Sequence, residues 1–216
     1  MKEIILFPFS GNAKEAITVI EAINKKLKTW ELLGFIDDNP DLTGKECLGY
    51  KVIGGREKLS EYPSAKVLAV PGRPENYFKR GKIINSLAIS SEQFATLIHP
   101  AANISPSTKI GYNTLVMAGV VTTINVCIGN HCVILPNTVI SHDVVIDSYT
   151  LIGSNVSISG GVRIEKLCYI GTGSKIIEEV TVSHGSLIGI GTIVLRSTEP
   201  DTVVVGNPGR TIRKVQ

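Results

Sequence analysis

The chain has 216 residues, room for two modest domains, and 22 basic against 19 acidic residues give it a formal net charge of only +3. No Lys/Arg run carries interleaved aromatics, which argues against nucleic acid as a partner, and no apolar run approaches the ~20 residues of a membrane span. Four cysteines (Cys47, Cys127, Cys132, Cys168) form no CxxC pair, and with no signal peptide in view a reduced, cytoplasmic enzyme is the expectation.

Residues 2–9, KEIILFPF, read as a buried strand. After Ser10-Gly11-Asn12, the apolar positions Ala16, Ile17, Val19, Ile20, Ile23 and Leu27 recur at helical spacing. The helix therefore points its amino end at the Gly11 turn, where free N–H groups can hold a phosphate. These residues alone leave an ordinary strand–helix turn equally open, because Pro8 and Ser10 stand where a GxGxxG motif has glycines. A second strand runs into Asp37-Asp38-Asn39-Pro40, an acidic end that could accept bonds from a ribose or a base, or simply be a solvated turn. Short strands follow at residues 49–55 and 66–72, the latter ending at Gly72, then a helical pattern over 76–90 and a last strand over 94–98. Alternating β and α elements predict a small Rossmann-like α/β domain over 1–96, with a mostly parallel sheet and a ligand crevice at the carboxyl ends of its strands. Ser10, Gly11, Asn12, Asp37, Asp38 and Gly72 all fall at such ends.

From Ile98 to Val194 every sixth residue is aliphatic, with Thr122 the single exception among seventeen positions, and the residue four further on is always Ala, Cys, Ser, Thr or Val. Six is not a helical period. One large and one small inward residue per six fit a short strand plus a corner, three of which make a triangular coil of 18 residues. Coils of this kind stack at about 4.8 Å and fill their interior with ladders of Ile and Val. Cys132 and Cys168 occupy small inward slots and read as core thiols. Residues 97–216 are thus expected to form an all-β solenoid of hexapeptide repeats, which could also serve only as a scaffold or binding surface.

Among the four histidines, His99 reads as structural, and His131 and His184 as solvated corner residues. His142 differs, because an 18-residue coil stacks it beside Gly160. An imidazole next to an unobstructed backbone N–H is what acyl transfer from a thioester requires, one taking a proton and the other steadying the oxyanion. A surface histidine at a corner remains the alternative. Asn137 stacks with Asn155 in another column, a structural corner by default that could also face a sugar.

Six motifs together resemble the left-handed β-helix, hexapeptide-repeat sugar acetyltransferases of the sialic-acid O-acetyltransferase and UDP-4-amino-sugar N-acetyltransferase type. They are Ser10-Gly11-Asn12-Ala13, Phe35-Ile36-Asp37-Asp38, the Gly72 turn, Ile98-His99-Pro100-Ala101, Asn137 through Asp143, and Val205 through Arg210. The left hand of the helix is implied by this resemblance, not by the period. So are a homotrimer with active sites between subunits, His142 as base supported by Asp143, and nucleotide-sugar binding by the Ser10–Asn12 turn and Asp37-Asp38. Acetyl-CoA, the co-substrate, would run past Leu151, Gly160, Thr172 and Ile190, with no metal. Departures are Asn12 for a common His, Pro8 for a Gly, Asp143 for a Glu found in several members, and Leu151 for a second His found in some.

The resulting expectation is an acetyl-CoA-dependent N-acetyltransferase acting on the amino group of a nucleotide-linked amino-deoxy sugar, in surface-glycan or glycoprotein sugar biosynthesis. O-acetylation of a sugar and a non-catalytic assembly module are the competing readings. A carbonic-anhydrase-like metal site is disfavoured, since His131, His142 and His184 fall in different columns.

Overall fold

The computed structural model describes residues 1–215. Strand β1 (Lys2–Phe7) is followed by helix α1 (Gly11–Lys26), which buries Ala16, Ile17, Val19 and Ile20 of the face its periodicity marks, with Ala13 besides; Ile23 is half-buried, and Leu27, which caps the helix, is exposed. Strand β2 (Trp30–Phe35) lies parallel to β1 on one side, and β5 (Lys66–Ala69) on the other. Between them, β3 (Glu46–Cys47) and β4 (Tyr50–Lys51) form a hairpin whose Leu48-Gly49 turn has positive φ at both residues, matching the right-handed twist of the strands. The helix expected over 76–90 is shorter: a 3₁₀ turn, Tyr77–Lys79, leads into α2 (Arg80–Asn85). Tyr77, whose hydroxyl donates to the Gly185 carbonyl at 2.6 Å, and Arg80, whose bonds are described below, draw this segment onto the second half of the molecule, and the chain leaves the helix at Ser86.

From Leu97 on, the backbone is a parallel β-solenoid of about six turns. Two-residue strands pair with the strand 18 residues further on, as in Val121↔Val139 and Val139↔Ser157. This builds three parallel faces of six, five and eight strands, the last closed by the antiparallel pair Thr202–Val205 and Arg210–Lys214. The sixth-position ladder fills the interior, from Val116 to Val194. Thr122, the odd member, is reconciled with the dry prism by its hydroxyl, 2.7 Å from that of Thr108. Cys132 and Cys168 are fully buried there, and burial pushes their thiols up to about 11 and about 12, so both are inert core residues.

Each turn of the coil has a left-handed corner residue, every sixth position from Asn113 to Gly191. Gly and Asn carry most of them, as the missing or short side chain favours. Asp143 and Glu179 are exceptions in one column, and bulky side chains gather in another: Asn113, His131, Tyr149, Leu167, Gly185. There the αL strain of about 1–2 kcal/mol per bulky residue is accepted because the side chains dock the N-terminal part. Asn113, fully buried, accepts from the Ala69 N–H (2.8 Å) and donates to the Ala69 carbonyl (2.9 Å), continuing β5 as another strand would. Its amide also lies 2.9 Å from His131 Nδ1, and the His131 ring stacks on Tyr149 at 4.6 Å. The adjoining eight-stranded face presents Leu97, Leu115, Val133 and Leu151 to the underside of α1 and the parallel sheet, so one apolar core spans both halves.

Asn113→Ala should strip partners from the buried Ala69 peptide and cost about 1–3 kcal/mol for each group left unpaired. Urea unfolding is the measurement, with a lower midpoint at unchanged slope as the expected result.

Candidate active site

His142 stands on the corner that follows the six-stranded face, and the corner hydrogen bonds confirm its neighbours. Asp143 N–H donates to the Ile124 carbonyl one coil below, and Gly161 N–H donates to the His142 carbonyl one coil above, each at 2.9 Å. Gly160 therefore sits on the rung beside His142. A Cβ on Gly160 would lie 2.4 Å from both Cε1 and Nε2 of the imidazole, so only glycine lets the ring lie against this backbone. The N–H groups of Ser159 and Gly161 are used by the coil ladders, whereas among the described residues the Gly160 N–H has no acceptor. His142, Asp143, Ser159, Gly160, Gly161, Glu178 and Glu179 line one open groove of about 500 Å³.

The imidazole is oriented from behind. Asp143 Oδ2 is 2.9 Å from His142 Nδ1, and Asp143 Oδ1 accepts from the Asn125 side chain at 3.1 Å. These two bonds, His142 first, hold the Asp143 carboxyl below its usual value. With Nδ1–H committed to the carboxylate, Nε2 carries the free lone pair on the side of the groove.

A second cavity, about 670 Å³, opens at the carboxyl ends of β1, β2 and β5. Ser10, Gly11, Asn12, Asp37, Asp38 and Gly72, predicted from separate stretches, all line it. The Ser10 side chain makes no capping bond to α1 and its Oγ is buried without a partner, which leaves the first amides of that helix available to an anion. The two acids differ in state. Asp37 accepts the Phe9 and Asn39 N–H groups, one on each oxygen at 2.9 Å, and so ties the ends of β1 and β2 together. Asp38 is ion-paired with Arg56, whose side-chain bonds hold the carboxyl below its usual value. Arg56 also donates to the Ser86 carbonyl at 2.7 Å. With Arg73 it supplies cations to the cavity wall that no motif marks.

Other predicted residues lie apart. Asn137, Thr172 and Ile190 share the corner after the eight-stranded face, not the corner of His142; Thr172 and Ile190 are exposed, the latter 79 %. Asn137 is held at φ +60°, and its amide oxygen occupies the space a Cβ on Gly119 would need. Leu151 is 2 % exposed within the core shared with the N-terminal part, so its side chain has no surface to offer CoA. His131 is not a solvated corner: it is 3 % exposed, and burial, with the nearby Arg80 charge, pulls its pKa down to about 4. His184 is half-buried, its Nδ1 enclosed without a partner. His99 Nδ1 accepts the Ala101 N–H at 3.0 Å, the structural role expected of it. Among the described residues no group of His, Cys, Asp or Glu is arranged to hold a metal, and no helix is long and apolar enough to cross a membrane.

A parallel solenoid with a histidine-bearing corner defines the class, and the GMPPB C-terminal domain profile matches residues 93–203, just over half of the chain. The chain belongs to the GMPPB C-terminal domain family. No curated protein matches it. Among solved structures it is similar to a perosamine N-acetyltransferase variant from Caulobacter crescentus in complex with CoA and GDP-perosamine. The TM-score is 0.85 at 22 % identity, over 98 % of this chain and 97 % of that one. The acetyltransferase domain of PglB from Neisseria gonorrhoeae FA1090, in complex with acetyl coenzyme A, gives 0.83 at 25 % over 98 % and 99 %. WeeI from Acinetobacter baumannii AYE gives 0.81 at 24 % over 98 % and 100 %. At these identities the likeness establishes a common fold along the whole chain.

Because its bond to His142 is the largest cause of the low Asp143 pKa, His142→Ala should raise that pKa back toward 3.8. Carboxyl-carbon NMR titration of Asp143 in the two proteins reads this directly.

Proposed function

We propose that the protein transfers the acetyl group of acetyl-CoA to the amino group of a nucleotide-linked amino-deoxy sugar, in the making of a surface glycan or glycoprotein sugar. The observation that carries this reading is the pairing of a carboxylate-oriented imidazole with a bare backbone N–H on the next rung. The molecules bound to the structural neighbours agree with it: CoA and GDP-perosamine in one, acetyl coenzyme A in another.

In the reaction, the neutral sugar amine attacks the thioester carbonyl carbon while His142 Nε2 takes its proton. The Gly160 N–H steadies the oxyanion of the tetrahedral intermediate. Collapse breaks the C–S bond, and the imidazolium returns its proton to the departing thiolate of CoA. Asp143 stabilises the imidazolium between these steps. Direct attack suffices, since no Ser or Cys side chain bonds to His142.

Residues 1–96 act as a Rossmann-like nucleotide-sugar-binding domain in this reading, and 97–216 as the left-handed β-helix acetyltransferase domain. The diphosphate lies at the α1 amino end near Ser10, Gly11 and Asn12, and Asp37, Asp38 and Gly72 bound the rest of the nucleotide. A homotrimer with active sites between subunits is part of this reading, and the placement of the corners supports it. Gly160 and His142 occupy one corner while Thr172 and Ile190 occupy another, so an acetyl-CoA reaching both sets bridges two subunits. Four free cysteines accord with a cytoplasmic setting.

Thiol release from acetyl-CoA, followed with UDP-, GDP- and dTDP-linked amino sugars, tests the proposal. One of these acceptors should support turnover and its 4-hydroxyl counterpart should not. His142→Ala should lower kcat by about 100-fold or more. Gly160→Ala should do the same by displacing the ring, with the fold of both variants intact. Near-wild-type turnover in His142→Ala would remove the imidazole from the reaction.

A further inference from the structure

One fully buried cation takes no part in the chemistry above. Arg80, at the start of α2, has no exposed surface and, among the described residues, no carboxylate partner; its bonds there go to backbone carbonyls. Nε donates to the Tyr149 carbonyl (3.1 Å), Nη2 to the His131 carbonyl (2.7 Å), and Nη1 to the Pro71 carbonyl. Tyr149 and His131 are corner residues of successive coils. Pro71 belongs to the wall of the nucleotide cavity.

The stem of the same side chain shapes that wall. Gly72 has φ +124°, and a Cβ there would lie 3.0 Å from Cγ and from Cδ of Arg80. The Pro71-Gly72 turn is therefore moulded over the arginine, glycine being required both for the backbone angle and for the close approach. Beyond it, Asn76 pins the Arg73 N–H at 2.9 Å, so the whole segment from Pro71 to Asn76 is held. An uncompensated buried charge is costly. Here the delocalised guanidinium, with donors in a fixed fork, ties three carbonyls from three chain segments, which an ammonium cannot do in the same geometry.

We propose that Arg80 is a positioning residue for the nucleotide sugar: it fixes the Pro71-Gly72 wall of the cavity in one register against the solenoid corner, and so sets where the bound sugar is presented. The proposal rests on the functional reading above. Arg80 touches neither substrate, and the acetyl-CoA surface at Thr172 and Ile190 is independent of it.

The test is steady-state kinetics with each substrate varied in turn, with binding of the bare nucleoside diphosphates UDP, GDP and dTDP by calorimetry. In Arg80→Met, KM for the nucleotide sugar and Kd for the preferred diphosphate should rise at least about tenfold, as misplacement of a binding wall does, while KM for acetyl-CoA stays within twofold. Arg80→Lys should recover only part of the loss. Should Arg80→Met fail to fold, Arg80→Lys carries the test, since it keeps the charge and most of the stem but loses the three-carbonyl fork, and should give the same split at smaller size. Unchanged nucleotide-sugar KM in the folded variant, or equal loss of both KM values, overturns the proposal. A wild-type chain that binds a diphosphate yet acetylates no amino sugar overturns the functional reading and leaves Arg80 to be judged by the diphosphate Kd alone. A chain that binds none of the three overturns both.

Discussion

The 18-residue hydrogen-bonded ladder is the constraint on which everything else depends. Each coil has three strands only two residues long, too short to be stable singly, and each exists because the coil above and below completes its backbone bonds and covers its Ile or Val. The ladder tolerates no slip, because a shift of one residue would turn the aliphatic column outward. That rigidity converts a distance of 18 in sequence into direct adjacency in space. His142 beside Gly160 is one consequence; the Asp143–Asn125 bond, again 18 apart, is another.

The three corners of the prism have diverged in use. One is rich in Gly and Asn and carries Thr172 and Ile190 on the surface. One carries the imidazole, its carboxylate and a groove. The third accepts left-handed Tyr, His and Leu and grips the N-terminal part through a buried polar network of Asn113, His131, Arg80 and the carbonyls around them. Fully satisfied, such a network specifies one docking geometry rather than adding much net stability. The cavity at the strand ends of β1, β2 and β5 is thereby held at a fixed offset from the solenoid.

Much of this is legible in the sequence because its physics is periodic. The sixfold pattern names the interior residues and the coil length, and coil length alone pairs 142 with 160. The residues around the second cavity are legible for a different reason: the ends of parallel strands converge, so Ser10, Asp37 and Gly72 meet although they are far apart in the chain. What has no period is lost. Arg56 and Arg80 lie in short 3₁₀ and α segments with no motif, and their roles are set by groups contributed from elsewhere: the Asp38 carboxylate and Ser86 carbonyl for Arg56, three backbone carbonyls for Arg80. His131 resembles any corner histidine until the N-terminal part is seated on it. A signal for that seating does exist: the outward residues Leu97, Leu115, Val133 and Leu151, eighteen apart, form an unbroken apolar run, where the six-stranded face interrupts Val121, Val139 and Ile193 with Asn103, Ser157 and Lys175. Read as a column, they mark the covered face and place the Leu151 side chain in the shared core.

The most direct measurement is a crystal structure of the assembled protein with acetyl-CoA bound. The account predicts the thioester at the His142 corner, its carbonyl oxygen about 3 Å from the Gly160 nitrogen, with the Thr172 and Ile190 corner lining the pantetheine from a second copy of the chain. A thioester resting elsewhere on the solenoid, or an imidazole turned away from it, would contradict the account.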